Sequence, residues 1–204
     1  MQRPDSLPAQ LFLLAVDPAR RRLTGRAELG YVLRAAALVD LQLSGHLVDD
    51  GGRPKVAGNP EPPDPGLDPV LRQVAADPRR RWAYWVRKDV RQATGTVREQ
   101  LVAGRRIEVV PHRILGILPV RRIVVLDPFA RDRIVGAIDA ALGDGWPVGE
   151  RTAALVALAA AARMRTVLPG SRRRAHRERI AQLTARTGPV PTVLRKVLRA
   201  AAAG

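Results

Sequence analysis

The sequence predicts a mainly α fold, a single compact helical domain with one protruding β-hairpin, and three observations carry that expectation. Hydrophobic residues make up 46% of the 204-residue chain but aromatic ones only 3%, so the apolar content is Ala, Leu and Val, the residues that fill helices. The longer segments repeat their apolar positions at helical spacing. Only around residues 106–126 does the pattern change to β-rich runs. The length fits one globular unit over 1–204.

The elements follow in order. Leu7 to Asp17 reads as a buried helix closed by Asp17-Pro18, because a residue before proline is pushed out of the α region. A turn through Arg20, Arg21 and Arg22 leads to Glu28–His46, whose apolar residues cover most of a helix circumference and mark a central core helix ended by Gly45. From Asp49 to Asp68 the chain is rich in Pro, Gly and Asp without an apolar period, and a surface loop is expected there. Amphipathic segments at Pro69–Ala76 and Arg80–Lys88 follow, the second holding Trp82, Tyr84 and Trp85. A helix is expected from Asp89 to Ala103, weakened by Thr94-Gly95-Thr96. Arg106–Val110 and Arg122–Leu126 then read as a strand pair flanking the tip PHRILGILPVR. Asp127-Pro128 is expected to cap a helix reaching Leu142. Further helices are expected at Glu150–Arg165 and Val190–Ala201, and between them Ser171–Arg186 places arginines around Ile180 and Leu183.

Thirty-five Lys and Arg stand against nineteen Asp and Glu, a net charge of +16 that points to a polyanionic partner, either nucleic acid or anionic membrane. Nearly all of the basic residues are Arg, the choice of a GC-rich genome, yet codon usage does not explain the excess over acidic residues. With no Cys there is no disulfide, thiol nucleophile or Cys-based zinc site. His46, His112 and His176 lack metal-ligand spacing, and no nucleophile elbow, phosphate-binding glycine loop or dinucleotide fingerprint is present, so neither an enzyme nor a cofactor is expected. No signal-peptide pattern or membrane-spanning run is seen, and a cytoplasmic location is expected.

The tip Ile114-Leu115-Gly116-Ile117-Leu118 is apolar where a strand connection is normally polar. Full burial of one such side chain is worth roughly 1.5–3 kcal/mol, and a basic residue near an anionic leaflet adds about 1 kcal/mol. Ile114, Leu115, Ile117 and Leu118, flanked by Arg113, Arg121 and Arg122, therefore make a two-signal contact with membrane. Packing on the domain itself or at a homo-oligomer interface would cover the same residues.

The runs LGYVLRAAALVDLQLSGHL, REQLVAGRRIEV, RILGILPVRRIVVLDP and RTAALVALAAAARMRTVLPG resemble, in order and spacing, the Golgi phosphoprotein 3 family in its shorter prokaryotic form. The resemblance implies a helical domain with an exposed hairpin. It also implies a non-catalytic peripheral protein on the cytosolic face of a membrane, binding phosphatidylinositol 4-phosphate without a cofactor. The family's headgroup pocket uses a Trp and three Arg. By position these fall on Gly25 for the Trp and on Arg34, Arg91 and Thr94 for the arginines, with Arg98 one helical turn beyond Thr94. The lipid-binding residues implied are therefore Arg34, Arg91 and Arg98, and Arg34 either pairs with a carboxylate such as Asp40 or meets an anion. Two other readings stand beside this one. A helix at 89–103 followed by a two-stranded wing with Arg105, Arg106, Arg121 and Arg122 imitates a winged-helix nucleic-acid binder. The other is a structural adaptor that oligomerises through the tip.

Overall fold

The helix Arg26–Leu43 (α2) is the axle of the fold, because its sequence leaves it almost no polar face: twelve of its eighteen residues are buried. In the computed structural model, which describes residues 6–58, 64–114, 118–143 and 147–203, with only the backbone given for 113–114 and 118–120, the other helices pack around it. Leu7–Ala15 (α1), Val90–Ala103 (α5), Glu150–Ala161 (α7) and Val190–Ala201 (α10) each lie against α2. Asp68–Ala76 (α3), Trp82–Arg87 (α4), Ala130–Leu142 (α6), Gly170–Ala175 (α8) and Arg177–Arg186 (α9) complete the helical set among the described residues. One cluster of buried side chains runs from Leu7 in α1 to Val197 in α10. The fold is mainly α, as expected.

α2 can be buried this deeply for two reasons. Its contact residues are small where neighbours come close: a Cβ on Gly30 would stand 2.0 Å from the Val90 carbonyl oxygen, so only glycine lets α5 approach there. Its buried polar groups are also satisfied. Asp40, 2% exposed, accepts a bidentate pair from Arg151 in α7 at 2.7 and 3.2 Å, and the Leu7 N–H that opens α1 at 2.7 Å. One carboxylate thus ties three helices. Asp40 is therefore not available to Arg34.

Three two-stranded sheets decorate the bundle among the described residues. Val16–Asp17 (β1) pairs with Arg22–Leu23 (β2), forming the corner between α1 and α2. Leu47–Asp50 (β3) pairs with Arg53–Val56 (β4) through Gly51 and Gly52, both at positive φ (57° and 82°), as a two-residue hairpin turn requires. This corrects the loop expected over 49–68. These strands bury only Leu47 and Pro54, so they carry no alternation to detect, while the Gly-Gly signal between them was present. Trp82 fastens this hairpin by donating its indole N–H to Asp49. Beyond it, Asp64 caps a short helical turn at Pro65–Leu67, and residues 59–63 lie outside the described set.

Ile107–Ile114 (β5) and Leu118–Val125 (β6) form the protruding hairpin, in register from Ile107 opposite Val125 to Ile114 opposite Leu118. Both strands extend further towards the tip than Arg106–Val110 and Arg122–Leu126. Pro111 suggested an early end, but a two-stranded ribbon has a free outer edge where a residue without an N–H is tolerated. Other ends also shift. α6 starts at Ala130 because Asp127 accepts from the Phe129 N–H in a turn before the helix. α7 stops at Ala161, where Arg163 takes a left-handed conformation (φ 51°) and Met164 N–H returns to the Ala159 carbonyl at 3.0 Å. The arginine-rich segment Ser171–Arg186 forms two helices, α8 and α9, which meet at His176.

Two stability outcomes follow. Gly30→Ala is expected to lower unfolding free energy by about 2–3 kcal/mol, because the methyl group meets backbone rather than a movable side chain. Urea unfolding measures this, and unchanged stability would mean that α5 retreats freely. Asp40→Ala is expected to cost about 3 kcal/mol by removing the buried acceptor that Arg151 and the Leu7 N–H share.

Candidate functional site

The hairpin is tied to the β1–β2 corner, which leads directly into α2, by a backbone hydrogen bond from Ile123 N–H to the Arg21 carbonyl at 2.8 Å. Arg21 is left-handed (φ 51°), which turns the chain sharply before β2. The glycine contact at Gly30 brings the start of α5 against the same place. Between these elements lies a cleft of about 660 Å³ into which Arg22, Arg26, Arg91, Arg98 and Arg121 converge.

Periodicity decides which side chains reach it. On α5, Arg91, Thr94 and Arg98 follow the spacing that shares one helix face. On α2, Arg26, Ala27, Gly30 and Tyr31 line the cleft. On the hairpin, Val109 and Arg121 line it with Ile123, whereas Arg122 falls on the opposite face of the ribbon because side chains alternate. Ala27, Gly30 and Thr94 keep the helix walls low, and Leu23, Tyr31, Val90, Val109 and Ile123 complete the lining.

The electrostatics are one-sided: among the described residues no carboxylate lines this cleft. Arg98 approaches Glu99 at 4.0 Å, the outer limit of an ion pair, and Arg22, Arg26, Arg91 and Arg121 have no ion pair among the described residues. The start of α2, with Gly25 providing no side-chain cap, adds the positive end of a helix dipole. Two unit charges about 8 Å apart repel by roughly 0.5–2 kcal/mol across effective dielectrics of ~80 to ~20, so an oxyanion placed among these guanidinium groups relieves repulsion as well as gaining hydrogen bonds.

The structure therefore brings Arg91, Arg98 and Arg121 together and keeps Arg34 apart. Arg34 lines a separate cavity of about 350 Å³ on the other flank of α5, with Asp89 and Gln73. Its Nε donates to the Trp85 carbonyl at 3.4 Å and its Nη2 to Gln73 Oε1 at 3.0 Å, while Gln73 passes a bond on to Asp89 at 2.8 Å. Burial pushes the Arg34 guanidinium below its usual range, and the Asp89 charge opposes that shift. Asp40 is not its partner; Gln73 links it to Asp89 instead. Arg22, Arg26 and Tyr31 were missed, although Arg22 and Arg26 stand four residues apart on either side of Gly25. Of the hairpin residues, Leu115 and Ile117 lie outside the described residues, as do the side chains of Arg113, Ile114 and Leu118.

A family model described as Golgi phosphoprotein 3 (GPP34) matches residues 7–201. No curated protein matches the chain. Among the described residues, no helix is long and apolar enough to cross a membrane.

Arg34 is only 6% exposed. Arg34→Ala should lower the thermal midpoint by several degrees, and Arg34→Met, which refills the volume without a buried charge, should recover most of that loss. Differential scanning calorimetry of the two variants tests this, and equal losses would contradict a packing role.

Proposed function

The chain belongs to the Golgi phosphoprotein 3 (GPP34) family, and from that premise we propose that it is a non-catalytic peripheral membrane protein that takes an anionic lipid headgroup in the arginine cleft. The observation that carries this is the convergence of Arg22, Arg26, Arg91, Arg98 and Arg121, from four separate elements, on a space without a carboxylate. Guanidinium forks match the planar pairs of oxygens on phosphate and bind them bidentately. A phosphate monoester carries more charge than a diester, so a phosphoinositide, phosphatidylinositol 4-phosphate in particular, gains more from five guanidinium groups than does a singly charged lipid. The protein then works on the cytosolic face of the membrane that displays this lipid.

The hairpin supplies the second contact. Its base stands at the rim of the cleft, through Val109 and Arg121, so a membrane engaged by the cleft lies close to the ribbon. The tip around Ile114 to Leu118 then enters the apolar layer, or meets a second copy of the chain. Nothing in the arrangement favours a nucleic-acid reading: Arg91 and Arg98 turn into a concavity shared with α2 instead of standing on a free helix face.

Vesicle co-sedimentation at about 0.15 M salt, where exposed charges are screened beyond ~8 Å, tests the proposal. Neutral, generic anionic and phosphatidylinositol 4-phosphate vesicles, the last two at matched charge, are compared. Preference for the phosphoinositide is expected, with a loss of about tenfold or more in Arg91→Ala/Arg98→Ala. Equal binding to both charged vesicles would reduce the cleft to diffuse attraction, and no binding to either would remove the proposal.

A further inference from the structure

The first turns of α2 have two flanks, and both are lined with arginine. Arg26, Ala27, Gly30 and Tyr31 face the cleft described above, while Glu28, Leu29 and Val32, with Gly25 before the helix, face another of about 540 Å³ on the other side. Arg163 and Arg165, from the segment after α7, and Arg195 and Arg199, one turn apart on α10, line this second space.

The charge here is not used by the fold. From Arg151 to the end the chain carries twelve Arg and Lys and one acidic residue, Glu178. Several of these arginines have structural partners: Arg151 with Asp40, Arg172 with Asp139, Arg173 with the Leu168 carbonyl, and Arg186 with the Val148 carbonyl. Arg163, Arg165, Arg195 and Arg199 have no ion pair among the described residues, and Glu28 is the one carboxylate among the residues lining their cleft. The positive field reaches neighbouring groups. Burial, and then the charges of Arg163, Arg165 and Arg174, push the Arg173 guanidinium below its usual range. Arg163 also occupies the left-handed position that closes α7, where glycine is the unstrained choice.

We infer that this second cleft is another site for the phosphate ester of a lipid headgroup, so that the protein grips two headgroups astride the N-terminal turns of α2. The inference rests on the headgroup reading of the first cleft and adds a second, separately mutable subsite. Two linked weak sites bind a lipid surface more tightly than either alone, because the second engagement is intramolecular.

Two measurements test it. Titration calorimetry with glycerophosphoinositol 4-phosphate, the headgroup without acyl chains, should fit two sites in the wild type and one in either Arg91→Ala/Arg98→Ala or Arg195→Ala/Arg199→Ala. Sedimentation with phosphatidylinositol 4-phosphate vesicles should weaken by about tenfold or more in each pair, and far less in Lys196→Ala/Arg177→Ala, which removes equal charge elsewhere. Arg163→Gly guards against misfolding: it should raise the melting midpoint by roughly 2–4 °C while weakening the second site. If Arg195→Ala/Arg199→Ala matches the wild type in both measurements, or the charge control, the second site is overturned and the first cleft stands. If two headgroups bind in solution but vesicle binding is unchanged, the site takes soluble phosphate esters and the lipid assignment is overturned. If only the second pair loses binding, this cleft holds the headgroup, and the first cleft and the two-headgroup grip both fall. A wild type that binds neither probe removes both.

Discussion

The contact between Gly30 and the Val90 carbonyl sets how close α5 comes to α2, and the positions of the candidate site follow from that distance. Any side chain at Gly30 would push α5 outward and carry Arg91, Thr94 and Arg98 away from Arg26 and Tyr31. The same helix is held from its other end by Asp40, which joins α1, α2 and α7 through the Leu7 N–H and Arg151. Close packing at one end and a satisfied buried carboxylate at the other fix α2 rigidly. A binding surface built on such a helix needs little ordering when a ligand arrives, which lowers the entropic cost of recognition.

Much of the fold was legible because helical periodicity is strong in this chain. α2, α5 and α10 stand within a few residues of their expected ranges, α2 because it is apolar almost all round and α10 because Val190, Leu194 and Val197 leave a clear apolar stripe. What escaped were elements without a stripe. β3 and β4 are exposed on almost every residue, so they look like loop in sequence. The end of α7 was hidden because its stop signal is a left-handed arginine, Arg163, where glycine would have announced it. The site was half legible. Arg91 and Arg98 were named only through the family resemblance, and Arg22, Arg26 and Arg121 join them only through tertiary pairing of the β1–β2 corner with the hairpin. Arg34 was named from the resemblance, but its bonds to the Trp85 carbonyl and to Gln73, which in turn bonds Asp89, arise only in the tertiary structure.

The arginine surplus separates into two populations once partners are assigned. One closes the structure: Arg131 donates to the Thr166 carbonyl, Arg179 to that of Ala141 and Arg186 to that of Val148, each satisfying an acceptor from a distant segment. Guanidinium suits that role, having five donors and a long apolar stem. A GC-rich genome that supplies Arg freely would be expected to use it so. The other population collects around the first turns of α2, where among the described residues only Arg98 has an ion pair, a 4.0 Å contact with Glu99, and codon usage does not account for that placement. Charge that the fold could have neutralised with an acidic neighbour is left open.

The division along α2 gives that openness a physical meaning. Towards its C-terminal half, Arg34 and Asp40 are buried and matched, because an unmatched charge in that environment would cost several kcal/mol. Towards its N-terminus the charges are largely exposed, where leaving them unmatched costs little and water screens their repulsion. A phosphate entering a concave cleft displaces that water, so the attraction it feels is stronger than the repulsion the free protein endured. The asymmetry makes the bound state gain more than the unbound state loses. It also explains why the arginines sit in clefts: on a convex surface the same charges would remain fully screened at physiological salt and would discriminate poorly between one anion and another.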